Sequence, residues 1–230
     1  MSCITLITSV INTPNSPLSY SNVRSVFTRQ ERFEQTKKTV QSIKENLPNS
    51  KIIIVECSDL NEEEKKFLDN NCDYILNLWE KKGLHGNIFG KSKSLGEGTI
   101  TIEALKYIND KDIKYNYLYK ISGRYWLNDN FKIDNIDNIE GNVFKRINNN
   151  EKKLLRINNN ENNIFTALYK INEQTVDKLL KFLINNKKSM ENCIDYEVLM
   201  SHFVKNIDKK IVDRIGLSGF VTVCGSKYNG

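Results

Sequence analysis

The chain has 230 residues and a mass of 26.7 kDa, enough for one α/β domain whose core needs no disulfide or metal staple. Apolar residues make up 39% and charged residues 27%, which excludes a disordered chain, and no apolar run approaches the ~18 residues of a membrane span. The net charge is +6, but Lys and Glu are mixed along the chain, so the surface suits a phosphate-bearing ligand or an acidic membrane face rather than nucleic acid.

In chain order, Ile4–Val10 reads as a buried strand. Thr28 opens a capping box with Glu31, and the helix runs to about Glu45 with Phe33, Val40, Ile43 and Leu47 on one face. Lys51–Glu56 is a β-branched run between turn residues, hence a central strand. Asn61 starts a short helix with acidic residues first, as the macrodipole prefers. Tyr74–Leu78 is a strand, Gly96–Asn109 a helix with Ile100, Ala104, Tyr107 and Ile108 inward, and Tyr115–Ile121 the next strand. This alternation predicts a mostly parallel sheet covered on both faces. The tandem runs Arg146–Leu155 and Arg156–Phe165 duplicate an Asn-rich decapeptide. Its Asn clusters punctuate apolar runs at Val143–Ile147, Leu154–Ile157 and Ile164–Ile171, which predicts strand-turn-strand-turn-strand. Asn172 caps a helix with Val176, Leu179, Leu180 and Leu183 inward, and Asp195 caps another. Short strands are expected near Ile211 and over Phe220–Val223. With no Pro-rich or Gly-rich linker, the halves 1–131 and 132–230 are expected to form one fused unit.

The five cysteines (Cys3, Cys57, Cys72, Cys193, Cys224) are odd in number and include no Cys-x-x-Cys. That excludes a zinc ribbon or disulfide framework and fits a reducing compartment. The first ten residues lack a basic n-region, so no signal peptide is expected. Only His85 and His202 are present, which excludes a histidine-rich metal site.

Ligands of open α/β sheets bind beyond the carboxyl ends of the strands. Thr8 and Ser9 end the first strand, and the loop after it carries Arg24, with Arg29 and Arg32 at the following helix start. Arginines at a helix N-terminus suit an anion. Glu56 ends the second strand, where a carboxylate accepts hydrogen bonds from a ribose or base edge. The loop Gly83–Gly98 contains Gly86-x-x-x-Gly90-Lys91-Ser92, one residue short of the Walker pattern and without a strand directly before it. It remains a basic loop leading into a helix, where Lys93, Ser94 and Gly96 can meet a diphosphate. The sharpest stretch is Tyr117-Leu-Tyr-Lys-Ile-Ser-Gly-Arg-Tyr-Trp-Leu127. A buried strand there ends in Lys120, Ser122, Gly123, Arg124 and Tyr125: two cations, a glycine that allows close approach, and aromatic faces. Near the C-terminus Asp195 and Glu197 are candidate general bases, with helix capping the competing role for Asp195.

Three stretches, Arg24–Thr39, Lys51–Ser58 and Ser94–Thr99 with Tyr117–Tyr125, resemble GT-A type nucleotide-sugar glycosyltransferases, in particular small enzymes of large DNA viruses and bacterial surface-polysaccharide clusters. The resemblance implies a GT-A-like, Rossmann-like sheet with a C-terminal acceptor side. It implies a nucleotide pocket over Thr8, Ser9, Glu56 and the Lys93–Gly96 region, a nucleoside-diphosphate sugar as donor, and a glycan, protein or lipid as acceptor. The chain is then expected in the cytoplasm, with peripheral membrane contact if the acceptor is a lipid. The family usually carries a metal-binding Asp-x-Asp pair at the end of the fourth strand; here that position reads Ser122-Gly123-Arg124. The only Asp-x-Asp, Asp110-Lys111-Asp112, precedes the strand. The expectation is that Arg124, with Lys120, replaces the divalent metal. The alternative is a non-catalytic nucleotide-sugar-binding or scaffold module of the same fold.

Overall fold

The computed structural model describes residues 2–133, 136–155 and 163–230. Among these residues ten strands form: β1 (Cys3–Ser9), β2 (Ser50–Glu56), β3 (Tyr74–Asn77), β4 (Tyr117–Ser122), β5 (Tyr125–Leu127), β6 (Val143–Arg146), β7 (Ile164–Asn172), β8 (Lys210–Val212), β9 (Leu217–Phe220) and β10 (Lys227–Asn229). The helices are α1 (Arg29–Asn46), α2 (Glu62–Asn71), α3 (His85–Phe89), α4 (Lys93–Asp110), α5 (Asp129–Ile133), α6 (Asn149–Leu155), α7 (Glu173–Asn185), α8 (Lys187–Glu191) and α9 (Tyr196–Lys205).

Seven strands make one mostly parallel sheet in the order β3-β2-β1-β4-β7-β6-β8. The first four are parallel, with Ser9 opposite Glu56 and Thr8 opposite Ser122, so their carboxyl ends share one edge. Beyond β4 the direction reverses: β7 is antiparallel to both β4 and β6. Strands from both parts of the chain thus enter the same sheet. A second sheet, β10-β9-β5, stands beside its carboxyl edge. Alternate residues of β2 feed two cores: Ile53 and Val55 pack with Leu105, Leu179 and Phe203 on one face, and Ile52 and Ile54 with Val40, Ile43 and Tyr119 on the other.

The caps explain most boundaries. Thr28 with Glu31 and Asn61 with Glu64 form complete capping boxes, and the Asn172 side chain accepts from Thr175 N. The fourth helix begins at Lys93 rather than at Gly96, because the Ser92 hydroxyl accepts from Leu95 N. Its glycines serve close approach. A Cβ on Gly96 would stand 2.8 Å from Ile88 O, and one on Gly98 would collide with the Met190 thioether of α8. Gly98→Ala is expected to cost about 1–3 kcal/mol, read as a lowered urea midpoint at unchanged m-value.

The middle of the duplicated segment departs from the predicted three strands. Val143 and Ile164 do begin neighbouring antiparallel strands, but the Leu154–Ile157 run does not form a third: Asn149–Leu155 is helical, and residues 156–162, which hold most of the second repeat, lie outside the described residues. Asn148 accepts from the backbone of Asn150 and Glu151, while Glu151 accepts from Asn148 N, so the Asn cluster caps a helix instead of making a turn. Glu151 also ties α6 down, accepting from buried Lys145 at 2.6 Å and from the Tyr228 hydroxyl at 2.9 Å. At the C-terminus the strand falls at Leu217–Phe220 rather than Phe220–Val223, and the stretch Val221–Ser226 is the turn that leads to β10.

Candidate active site

A cavity of about 460 Å³ opens where β1 and β4 end. Gly123 makes this junction. Its N–H donates to Thr8 O at 2.9 Å and its carbonyl accepts from the Thr36 hydroxyl at 3.1 Å, while a Cβ there would crowd Ser9 at 3.1 Å. Close packing of the strand end on β1 sets Ser122, Arg124 and Tyr125 on the cavity wall with Thr8 and Ser9. From α4 come Lys93, Ser94 and Gly96, and from the approach to α9 come Asp195 and Glu197. Arg24, from the loop after β1, is also in the wall. Twelve of the fourteen residues singled out by the sequence therefore share one cavity; Lys120 and Glu56 do not.

Both exceptions have a physical cause. Lys120 is fully buried, and its ammonium donates to Glu97 Oε1 at 2.6 Å, the Thr166 carbonyl at 3.0 Å and Ser122 Oγ at 3.1 Å. All three hydrogens are committed, so it has none for a phosphate, and the expected substitution of Lys120 for a metal is corrected. Glu56 is also fully buried, and its Oε1 accepts from Ile11 N and Cys57 N, which pins the chain leaving β1. It is a loop anchor, not a wall residue. Arg24 is in the wall but heavily engaged: it donates to Ser16, to Phe89 O at 2.9 Å and to Gly90 O, tying its loop to the end of α3. Asp195 stands at the N-cap position of α9 as expected, but its side chain makes no cap hydrogen bond.

Arg32 is the residue the sequence named but did not select. It enters the cavity from the first turn of α1, is only 8% exposed, and donates through Nε to Val10 O at 2.5 Å. Its Nη1 is buried without a partner. Burial, and then neighbouring Arg124, push its guanidinium down to about 10 against the opposing effect of Glu56. Arg29, its neighbour in the motif, instead grips Glu64 at 2.7 and 2.6 Å. Arg124 donates to Phe220 O at 3.2 Å and lies over the Tyr125 ring. Neither Arg32 nor Arg124 has a carboxylate partner among the described residues. Four further lining residues carry a buried, unpartnered side-chain oxygen: Thr13 Oγ1, Ser94 Oγ, Tyr196 Oη and Thr222 Oγ1. Buried polar atoms rarely stay unpaired, so five of them around one cavity mark a polar ligand.

Glu97, which the sequence analysis did not single out, also lines the cavity, 15% exposed. Burial would raise its carboxyl, but Lys120 and then Lys93 outweigh this and hold it below the ordinary range. The helical spacing Lys93, Ser94, Glu97 places all three on one face and could have found it. Glu197 accepts from the Thr166 hydroxyl at 3.0 Å. Tyr20, half-exposed on the Leu18–Ser21 turn, stands at the mouth; that turn is fastened by Ser19 N to Lys91 O at 2.9 Å. At the end of β4, Ser122, Gly123 and Arg124 supply no carboxylate for a divalent ion. Among the described residues no group of three His, Cys, Asp or Glu is placed to hold one.

No protein-family model matches the sequence, and no curated protein matches it. Solved structures do. The galactosyltransferase LgtC in complex with donor and acceptor sugar analogues aligns with a TM-score of 0.54 at 10% identity, covering 92% of this chain and 73% of that one. An active-site mutant of LgtC aligns at 0.51 and 9% identity, covering 92% and 72%. A glycosyltransferase involved in glycosylating the major capsid protein of PBCV-1 aligns at 0.48 and 10% identity, covering 92% and 81%. A 4-diphosphocytidyl-2C-methyl-D-erythritol synthase from Anaerococcus prevotii aligns at 0.49 and 14% identity, covering 91% and 86%. At these identities the likeness to the two LgtC structures shows the fold alone: the chain is a mixed α/β protein with a GT-A-like architecture.

Proposed function

We propose that the chain is a glycosyltransferase that moves a sugar from a nucleoside-diphosphate sugar to a glycan, protein or lipid acceptor, with Arg124 and Arg32 in the place of a metal. The observation that carries this reading is the pair of guanidiniums, without carboxylate partners among the described residues, lining one cavity at the carboxyl edge of a GT-A-like sheet. When the bond between the sugar's anomeric carbon and the phosphate oxygen breaks, the leaving diphosphate gains negative charge. Fixed guanidiniums close to those oxygens stabilise that charge without reorganising. Asp195, whose carboxylate is not spent on capping α9, is the candidate base for the acceptor hydroxyl, with Glu197 beside it. The fold positions these groups on rigid element ends, and no helix among the described residues is long and apolar enough to cross a membrane.

A thermal-shift screen against UDP, GDP, CDP, ADP and their sugars, each with Mn²⁺ and with EDTA, tests it. A ligand at about 100 times its Kd stabilises the native state by about 2.7 kcal/mol. The expected result is one responding nucleotide whose shift EDTA leaves unchanged. A shift only with Mn²⁺ would overturn the arginine-for-metal part. No shift with any nucleotide would overturn the donor class, and a shift without turnover would favour the binding module.

A further inference from the structure

Among the described residues five large hydrophobic side chains are exposed: Tyr20, Val23, Val26, Ile184 and Ile194. Scattered singly, such residues need no explanation. Tyr20, Val23 and Val26 are not scattered: they lie on one loop between β1 and α1, at 52%, 44% and 48% exposure. That loop is fastened on both sides. Ser19 N donates to Lys91 O and Ser16 Oγ to Phe89 O, both at 2.9 Å. Opposite, Val26 N donates to Thr222 O at 3.0 Å, and the Phe27 ring lies 5.4 Å from that of Phe220. Tyr20, Phe89 and Thr222 all line the cavity, so the segments 12–30, 82–96 and 215–230 meet around its opening.

These three segments contain no Asp or Glu, although the chain has 28. They carry Arg24, Lys82, Lys91, Lys93 and Lys227, none of which makes an ion pair among the described residues; only Arg29 is paired, with Glu64 and Asp59. The carboxylates of the wall, Glu97, Asp195 and Glu197, come from outside these segments. We infer that this rim docks on an anionic lipid bilayer, with Tyr20, Val23 and Val26 in the headgroup region and the lysines beside them on lipid phosphates. Apolar side chains set among unpaired cations are what such an interface needs. A soluble acidic polymer would use the cations but leave the valines in water. A second copy of the chain, packed through the same face, would bring like charges together. The docking itself stands apart from the proposed function. Resting on that function is one consequence: the acceptor is a lipid or a lipid-linked glycan.

Flotation of the full chain with vesicles tests the docking and needs no nucleotide. The chain is expected to float with equimolar phosphatidylcholine–phosphatidylglycerol vesicles, and at least about tenfold less with phosphatidylcholine alone. Raising NaCl from about 0.1 M to about 1 M shortens the screening length from about 10 Å to about 3 Å and should release it. Val23→Asp and Lys91→Glu are each expected to weaken binding at least about fivefold. Ile184→Asp, at an equally exposed position on α7, is expected to change it less than about twofold. Val23 and Lys91 are exposed and outside the cavity wall, and an unchanged urea midpoint verifies that both variants fold. Failure to bind anionic vesicles would overturn the inference. Equal loss in all three variants, or loss in none, would also overturn it, because the attraction would then belong to the net charge. Dimerisation that Val23→Asp abolishes would assign the face to a second copy. Displacement by soluble dextran sulfate, with Val23→Asp without effect, would assign it to an acidic polymer. None of these outcomes touches the nucleotide shift of the thermal screen, so the proposed donor class stands or falls separately.

Discussion

Arg124→Ala is expected to lower the rate of sugar transfer by about 10²–10³-fold, which corresponds to about 2.7–4 kcal/mol of lost transition-state stabilisation. The loss should appear mainly in kcat, because the charge that Arg124 meets grows as the bond to the diphosphate breaks. Among the described residues its side chain donates one hydrogen bond, to the Phe220 carbonyl, and lies over Tyr125, so the fold has little at stake in it. Unfolding of the variant is therefore expected to stay close to wild type. Arg124→Lys should recover only a part of the rate, since an ammonium supplies the charge but not the planar two-pronged grip on phosphate oxygens. Unchanged transfer in Arg124→Ala would remove the central residue of the proposed mechanism.

Lys120→Ala is expected to act in a different way, through stability. Its ammonium is fully buried and joins Glu97 of α4 to the Thr166 carbonyl of β7 and Ser122 at the end of β4. Removing one member of a buried ion pair leaves the other charged and unpaired, at a cost of about 3–5 kcal/mol. A urea titration should show this as a lower midpoint, and Lys120→Met combined with Glu97→Leu should regain much of the loss because no charge is then stranded. The pair also predicts a pH dependence. Lys120 and Lys93 hold the Glu97 carboxyl below its unfolded value of 4.5. A group depressed in the native state stabilises it above the unfolded pKa, and that contribution is lost as pH falls through the folded pKa. Stability should thus decline on acidification below about pH 4.5, and the decline should be smaller in the double variant.

These two residues stand four apart on one strand end and illustrate what a linear pattern can tell. The period of two places Lys120 and Ser122 on the same face of β4, but it does not say what lies opposite. The opposite group is Glu97, twenty-three positions away, and its carboxylate turns an apparent phosphate ligand into a buried counter-ion. Glu56 went the same way. Its place at the end of β2 is visible in the β-branched run before it, while its engagement by Ile11 N depends on how the chain leaves β1, forty-five residues earlier. The Asn-rich repeat shows the local counterpart of this problem. Asn serves equally in a turn and at a helix cap, and the reach of Glu151 back to Asn148 decided for the cap.

By itself the sequence determined the parts whose causes lie within a few residues. The capping boxes at Thr28 and Asn61, the buried β-branched strands and the strand–helix alternation led to a parallel sheet. The strand ends then pointed to Thr8, Ser9, Ser122, Gly123 and Arg124 as neighbours, because parallel strands in register bring their carboxyl ends together. Only the tertiary structure decided which of the nearby charges remain available. Arg29 is taken by Glu64, Arg24 by the carbonyls of Phe89 and Gly90, and Lys120 by Glu97, whereas Arg32 is left with an unpartnered Nη1 in the cavity wall. The physical reason is range. Capping and periodicity act over one turn or one pleat, but the pairing of a charge depends on which distant element folds against it, and on whether water is excluded when it does.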